Sequence, residues 1–251
     1  MKNALLIPVV FVSLLAACSE QTADTDAVVT KIMVDNTPVQ ALETGGVVTL
    51  LQKPGADFSA PDSDVWREAQ EYAMELKLAP PVHQSINLRY DPAAPAAPVN
   101  VRAASDGEKL YLRLRWSDAS RDIATTREQF SDGAAVQFAL GGGPATSYMM
   151  GASATPVNIW YWKASATEPQ NLAAGGFGST TRLDQGQLAA SSIYRDSGEW
   201  VVVFSRPLNQ EGEHQVDLNE GAATIALALW QGETGQRDGL KHVSPGWVSI
   251  Q

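Results

Sequence analysis

The chain has 251 residues, with 18 Lys and Arg against 28 Asp and Glu and a formal net charge of −10. That length is ample for a buried core, and the acidic balance excludes nucleic acid as the main partner, because phosphate recognition needs a basic footprint. Hydrophobic residues at 44% with 18% charged residues describe a globular chain, and a single cysteine excludes an intrachain disulfide, covalent haem attachment, iron–sulfur cages and Cys-rich zinc sites.

Lys2 gives the N-terminus a positive start, and Ala4 to Ala17 is apolar apart from Ser13. The stretch is too short for a transmembrane helix and suits a signal-peptide core. It ends in Leu15-Ala16-Ala17-Cys18, which resembles a bacterial lipobox. The resemblance implies cleavage before Cys18 and a lipid on its thiol, and several acyl chains on one residue anchor a protein stably. By the same resemblance, Ser19 in place of an Asp favours an outer-membrane lipoprotein facing the periplasm, with the periplasmic face of the inner membrane and the cell surface as alternatives. The expected division is 1–17 signal peptide, 18–61 acidic tether and N-terminal extended segment, and 62–251 one folded domain.

Residues 19–27 read as a flexible tether. Within 28–61, short apolar runs broken by Gly45-Gly46 and Pro54-Gly55 read as strands or extended segments. Asp62 to Gln70 has cap-like residues suited to a short helix. Tyr72, Met74, Leu76 and Leu78 alternate with their neighbours as in a strand, which Pro80-Pro81 ends. Residues 91–98 are a Pro/Ala loop. VNVRAAS, Asp106-Gly107 and EKLYLRLRW predict a β-hairpin with Leu110, Leu112, Leu114 and Trp116 on one face and Tyr111, Arg113 and Arg115 on the other. Further strands are predicted at 134–140, 157–164, 190–195, 199–205, 223–230 and 247–251, with Asp196-Ser197-Gly198 as a turn. Residues 165–189, rich in Gly, Ala, Ser and Thr, read as a long loop. Many short strands with little helix indicate an all-β, antiparallel β-sandwich. Seven tryptophans in such a chain suggest a pocket or an apolar interface.

Little catalytic chemistry is visible. His83, His214 and His242 are too scattered for a His-rich zinc site. There is no GxSxG elbow, P-loop or dinucleotide fingerprint, and no carboxylate pair stands out for acid/base work.

Four segments in order carry a resemblance: Phe130 to Phe138 (FSDGAAVQF), Tyr148-Met149-Met150-Gly151, Pro156 to Ala164 (PVNIWYWKA) and Arg237 to Pro245 (RDGLKHVSP). The set resembles the haem b-binding gamma subunits of ethylbenzene dehydrogenase and dimethyl sulfide dehydrogenase, over about Asp62 to the C-terminus. The resemblance implies a carbohydrate-binding-module-like sandwich holding one non-covalent haem b, with iron ligated by a Met and a Lys that fall here on Met150 and Lys241. It also implies electron transfer in a periplasmic complex. The partner would be a molybdopterin/iron–sulfur oxidoreductase, with a c-type cytochrome on the other side. A lipid anchor departs from that family's pattern.

The donor chemistry is coherent. A thioether is a soft neutral ligand that favours ferrous iron, and an amine ligates only when deprotonated, which burial promotes. Met149, His242 and Lys163 are the rival ligands, and Trp160 and Trp162 are candidates to line the porphyrin. A haem-free module that stacks a sugar on Trp160 or Trp162 is the alternative reading.

Overall fold

A computed structural model describes residues 38–141, 143–209, 212–219 and 222–251. The expected signal peptide, Cys18, the expected acidic tether and the first apolar run of the 28–61 segment lie outside those residues. In chain order the strands are β1 (Val39–Ala41), β2 (Val47–Val48), β3 (Leu50–Gln52), β4 (Glu71–Leu78), β5 (Ala97–Ser105), β6 (Lys109–Ser117), β7 (Gly133–Ala139), β8 (Val157–Lys163), β9 (Gln170–Ala174), β10 (Thr181–Arg182), β11 (Ala189–Arg195), β12 (Glu199–Pro207), β13 (Ala223–Trp230), β14 (His242–Val243) and β15 (Val248–Ile250). A 3-10 turn spans Asp64–Glu68, and one turn of helix, α1, spans Gln84–Asn87. Among the described residues no helix is long and apolar enough to cross a membrane.

The strands form two packed sheets. The first runs β4-β5-β6-β12-β11 and the second β10-β9-β8-β7-β13, antiparallel at every pairing. The short N-terminal strands add three parallel pairings, β1 on β4, β3 on β5 and β2 on β15, so the sandwich takes in part of the extended segment before Asp62. β15 lies along the first half of β13. β14 lies between the end of β13 and the end of β4, so β4 joins the two sheets.

Alternation decides what each face buries. Leu110, Leu112, Leu114 and Trp116 of β6 point into the sandwich with Phe204 of β12, against Val136, Phe138, Trp160 and Leu227 of the second sheet. Each such side chain contributes about 1.5–3 kcal/mol by leaving water. The β5–β6 turn is set by Asp106, whose Oδ1 accepts from the Glu108 and Lys109 amides, and by Gly107 at φ 92. On the outer face of the first sheet, buried Glu71 accepts from Arg102 at 3.3 Å and from Arg115 at 3.1 Å. The segment before β4 covers this face, packing Phe58 and Trp66 on Tyr111 and Val203.

Two readings of the sequence need correction. The 165–189 loop contains β9 and β10, and the 91–98 loop gives up Ala97 and Pro98 to β5. β9 (QNLAA) has one large apolar residue and no β-branched residue, so propensity hides it. It forms because Asn171, fully buried, finds partners. Its Oδ1 accepts from Asn158 at 2.7 Å, and its Nδ2 donates to the Asp184 carbonyl at 2.6 Å.

Candidate functional site

The outer face of the second sheet is apolar, which is unusual for a face that no other sheet covers. It is built on a parity choice. In β13, Ile225, Leu227 and Leu229 fill the sandwich, leaving Ala226 and Ala228 to face outward; Ala135 of β7 does the same. Small residues in the middle of this face, flanked by Ile159, Tyr161, Leu172 and Trp230, leave a hollow of about 390 Å³. That volume falls in the range of cofactor and small-molecule sites. One wall is the segment after β4, with Ala79, Val82 and Ile86, and the opposite wall holds Tyr148, Phe177 and Gly178.

Met150 enters from the loop between β7 and β8. It holds φ 68, in the left-handed region, followed by Gly151 at φ 71. A non-glycine residue there costs roughly 1–3 kcal/mol and persists only where its surroundings enforce it. The enforcement is visible. The Gly151 amide donates to the Ser147 carbonyl at 2.9 Å, and the Gly176 amide donates to the Met150 carbonyl at 2.8 Å. Trp247 Nε1 holds the Thr146 carbonyl at 2.7 Å, and Gln137 Nε2 holds the Tyr148 carbonyl at 2.8 Å. A Cβ at Gly151 would stand 2.9 Å from the Thr155 carbonyl oxygen and 3.0 Å from that of Ala174, so only glycine lets the chain pass there.

Lys241 enters from the other side, at the start of β14. Its carbonyl accepts from the Ala79 amide at 2.8 Å. Trp230 Nε1 donates to the Asp238 carbonyl at 3.2 Å and so ties down the turn before it. The Lys241 amine lies 4.9 Å from the centre of the Trp230 ring and 3.5 Å from Met150 Sδ. It enters no ion pair with a carboxylate among the described residues. Burial pushes the Lys241 ammonium down to about 8, against the opposing pull of Asp238. A buried amine with a thioether as hydrogen-bond partner is unusual for a structural lysine, which would find an acid. Both side chains are long and unbranched, so the pair can part to admit a group between them.

The structure therefore brings Met150 and Lys241 together at one cavity. Met149 also lines it and remains the neighbouring thioether. His242 faces away, as alternation along β14 demands. Its Nε2–H donates to the Pro95 carbonyl at 3.1 Å, and its Nδ1 accepts from Gln236 Nε2 at 3.2 Å, so both ring nitrogens are used. Burial lowers its pKa, consistent with this neutral tautomer. Lys163, at the end of β8, does not reach the wall of the cavity.

Trp160 and Trp162 do not line the cavity. Both lie on the inner face of β8: Trp160 packs on Phe138 at 4.4 Å beneath the Arg206 guanidinium, and Trp162 packs on Trp200. Neither can stack a sugar. The outward residues of β8 are Ile159 and Tyr161, and Tyr161 packs edge-on against Trp230 at 5.1 Å. The ALALW run of β13, with its small residues at every second place, is the signal in the sequence that marks the hollow.

The ethylbenzene dehydrogenase family model matches residues 63–187, a span that takes in Met150 and ends before Lys241. The gamma subunit of dimethylsulfide dehydrogenase from Rhodovulum sulfidophilum is 45% identical over 194 residues, 75% of this chain and 73% of that one. The gamma subunit of chlorate reductase from Ideonella dechloratans is 35% identical over 208 residues, covering 82% and 84%. A protein of Haloferax mediterranei bearing the provisional name of a respiratory nitrate reductase heme subunit is 38% identical over 149 residues, covering 58% and 53%. Among solved structures, a family 9 carbohydrate-binding module from Caldicellulosiruptor kristjanssonii in complex with glucose has 9% identity and a TM-score of 0.45, covering 82% of this chain and 95% of that one.

Proposed function

The chain belongs to the ethylbenzene dehydrogenase family, with the gamma subunits of dimethylsulfide dehydrogenase and chlorate reductase, and on that premise we propose that it binds one haem b between Met150 and Lys241 and carries electrons in a periplasmic oxidoreductase complex. The observation that carries the reading is the 3.5 Å approach of a thioether and a buried amine within an apolar cavity of the second sheet. The provisional name of the Haloferax relative supports the same cofactor.

Haem, when bound, supplies reversible one-electron storage at iron. The chain's residues do the rest. Met150 offers a soft neutral donor, held in place by the Ser147, Gly151 and Gly176 hydrogen bonds. Lys241 offers an amine whose proton burial has already made easier to lose. Ile159, Leu172, Ala226 and Ala228 exclude water. Were Met150 and Lys241 both to hold the haem, no position would be left open for oxygen or substrate, so the reading is electron transfer and not catalysis at that group.

The partners that fit are a molybdenum and iron–sulfur oxidoreductase on one side and a c-type cytochrome on the other. A lipid on Cys18 would hold the chain at the outer membrane, facing the periplasm. Cys18→Ser should then move the protein from the membrane to the soluble fraction, and unchanged fractionation would remove the anchor from this reading. The function itself is tested by loading the purified mature chain with haem b, reducing it and mixing it with oxidised c-type cytochrome. The reading predicts one electron delivered per chain. Failure to take up haem, or turnover of oxygen at the haem, would overturn it.

A further inference from the structure

Away from the cavity, the loop between β6 and β7 gathers three carboxylates. We propose that Asp118, Asp122 and Asp132 form a binding site for a divalent cation of the calcium class. One oxygen from each lies within 4.8 Å of the others. Asp118 and Asp132 are buried, at 5% and 0% exposure. Three carboxylates packed this closely repel one another when ionised, and burying that charge without a counter-charge is costly. Among the described residues no Lys, Arg or His pairs with these carboxylates, the buried ion pairs lying on Glu71, and the Arg121 guanidinium lies over the Trp200 ring.

A second observation points to a ligand. Asp118 Oδ2 is buried without a hydrogen-bond partner, while Oδ1 accepts from the Ser120 amide at 3.3 Å. A buried carboxylate oxygen that no donor reaches, beside two more carboxylates, is open to a cation. Asp132, by contrast, is held by three donors. Its Oδ2 accepts from the Asp122 amide at 2.7 Å and Trp200 Nε1 at 2.9 Å, and its Oδ1 accepts from the Gly232 amide at 2.9 Å. Asp132 is thus fixed in place with lone pairs to spare. Asp122 accepts from the Ser120 hydroxyl, which also lies 3.3 Å from Glu233 Oε2. The available donors are therefore carboxylate and hydroxyl oxygens.

Hard oxygen donors of this kind select calcium over zinc or copper, and calcium's flexible coordination suits a loop-built site better than magnesium's strict octahedron does. A bound ion would tie together the β6–β7 loop, Trp200 of β12 and the Gly232 turn that follows Trp230.

The tryptophans provide the assay. Trp200 donates to Asp132, and Trp116 lies two residues before Asp118. Terbium added to mature protein stripped of divalent ions should give green emission on excitation of tryptophan, and calcium should quench it by competition. Millimolar calcium should raise the Tm by about 5 °C or more. Asp122→Asn, at the partly exposed member of the set, should weaken calcium binding at least 10-fold, where loss of Asp132 would risk the fold. The proposal is overturned if stripped protein shows neither sensitised emission nor a calcium-dependent Tm, or if Asp122→Asn binds calcium as the parent does.

Discussion

Replacing Lys241 with Met removes a buried base whose pKa in the fold is about 8 against an ordinary value of 10.5. In haem-free protein the unfolded chain therefore binds one more proton than the folded chain between those two values. The free energy of unfolding rises with pH across that window. Below about pH 8 both states carry the proton, and the cost of burying the ammonium is present in full. A gap of about 2.5 pH units at 1.36 kcal/mol each sets an upper bound of about 3 kcal/mol, which partial exposure of the side chain will reduce. The assay is urea denaturation of haem-free parent and Lys241→Met at pH 7.5 and pH 10, comparing the differences so that other titrations cancel. The parent should gain stability relative to the variant on going to pH 10. Parallel behaviour of the two proteins would mean that the Lys241 amine is solvated, and the argument that burial eases the loss of its proton would fail.

Other perturbations have equally definite outcomes. Gly151→Ala puts a methyl group against two carbonyl oxygens at a φ of 71; it should cost about 2–4 kcal/mol by urea denaturation and weaken haem uptake by moving Met150. Glu71→Ala leaves Arg102, Arg113 and Arg115 together without their shared acid; a loss of about 3–5 kcal/mol is expected, and a loss below 1 kcal/mol would show that the cluster is well solvated.

Much of the fold could be read because half-buried strands announce themselves. β6 alternates leucine with tyrosine and arginine, and the structure puts those sets on the predicted faces. β4, β7, β8, β11, β12 and β13 were predicted within a residue or two of their bounds. β9 and β14 were not, because each is held by neighbours and not by its own composition. The site divided along the same line. Met150 and Lys241 came from a resemblance, since nothing in the spacing of residues 91 apart says that they meet. Trp160 and Trp162 went to the wrong face because β8 is covered on both sides, so its pattern carries no parity signal. The aspartate cluster was invisible for a different reason. Its members lie in a loop without period, and burial brings Asp118 and Asp132 together.

The central claim is that Met150 and Lys241 close on one haem, and the optical spectrum of the reconstituted protein tests it directly. The mature chain should take up one haem b and show sharp low-spin bands in both oxidation states, and Met150→Ala and Lys241→Ala should each convert the haem to a high-spin or water-ligated form. Low-spin bands unchanged in both variants would contradict the account.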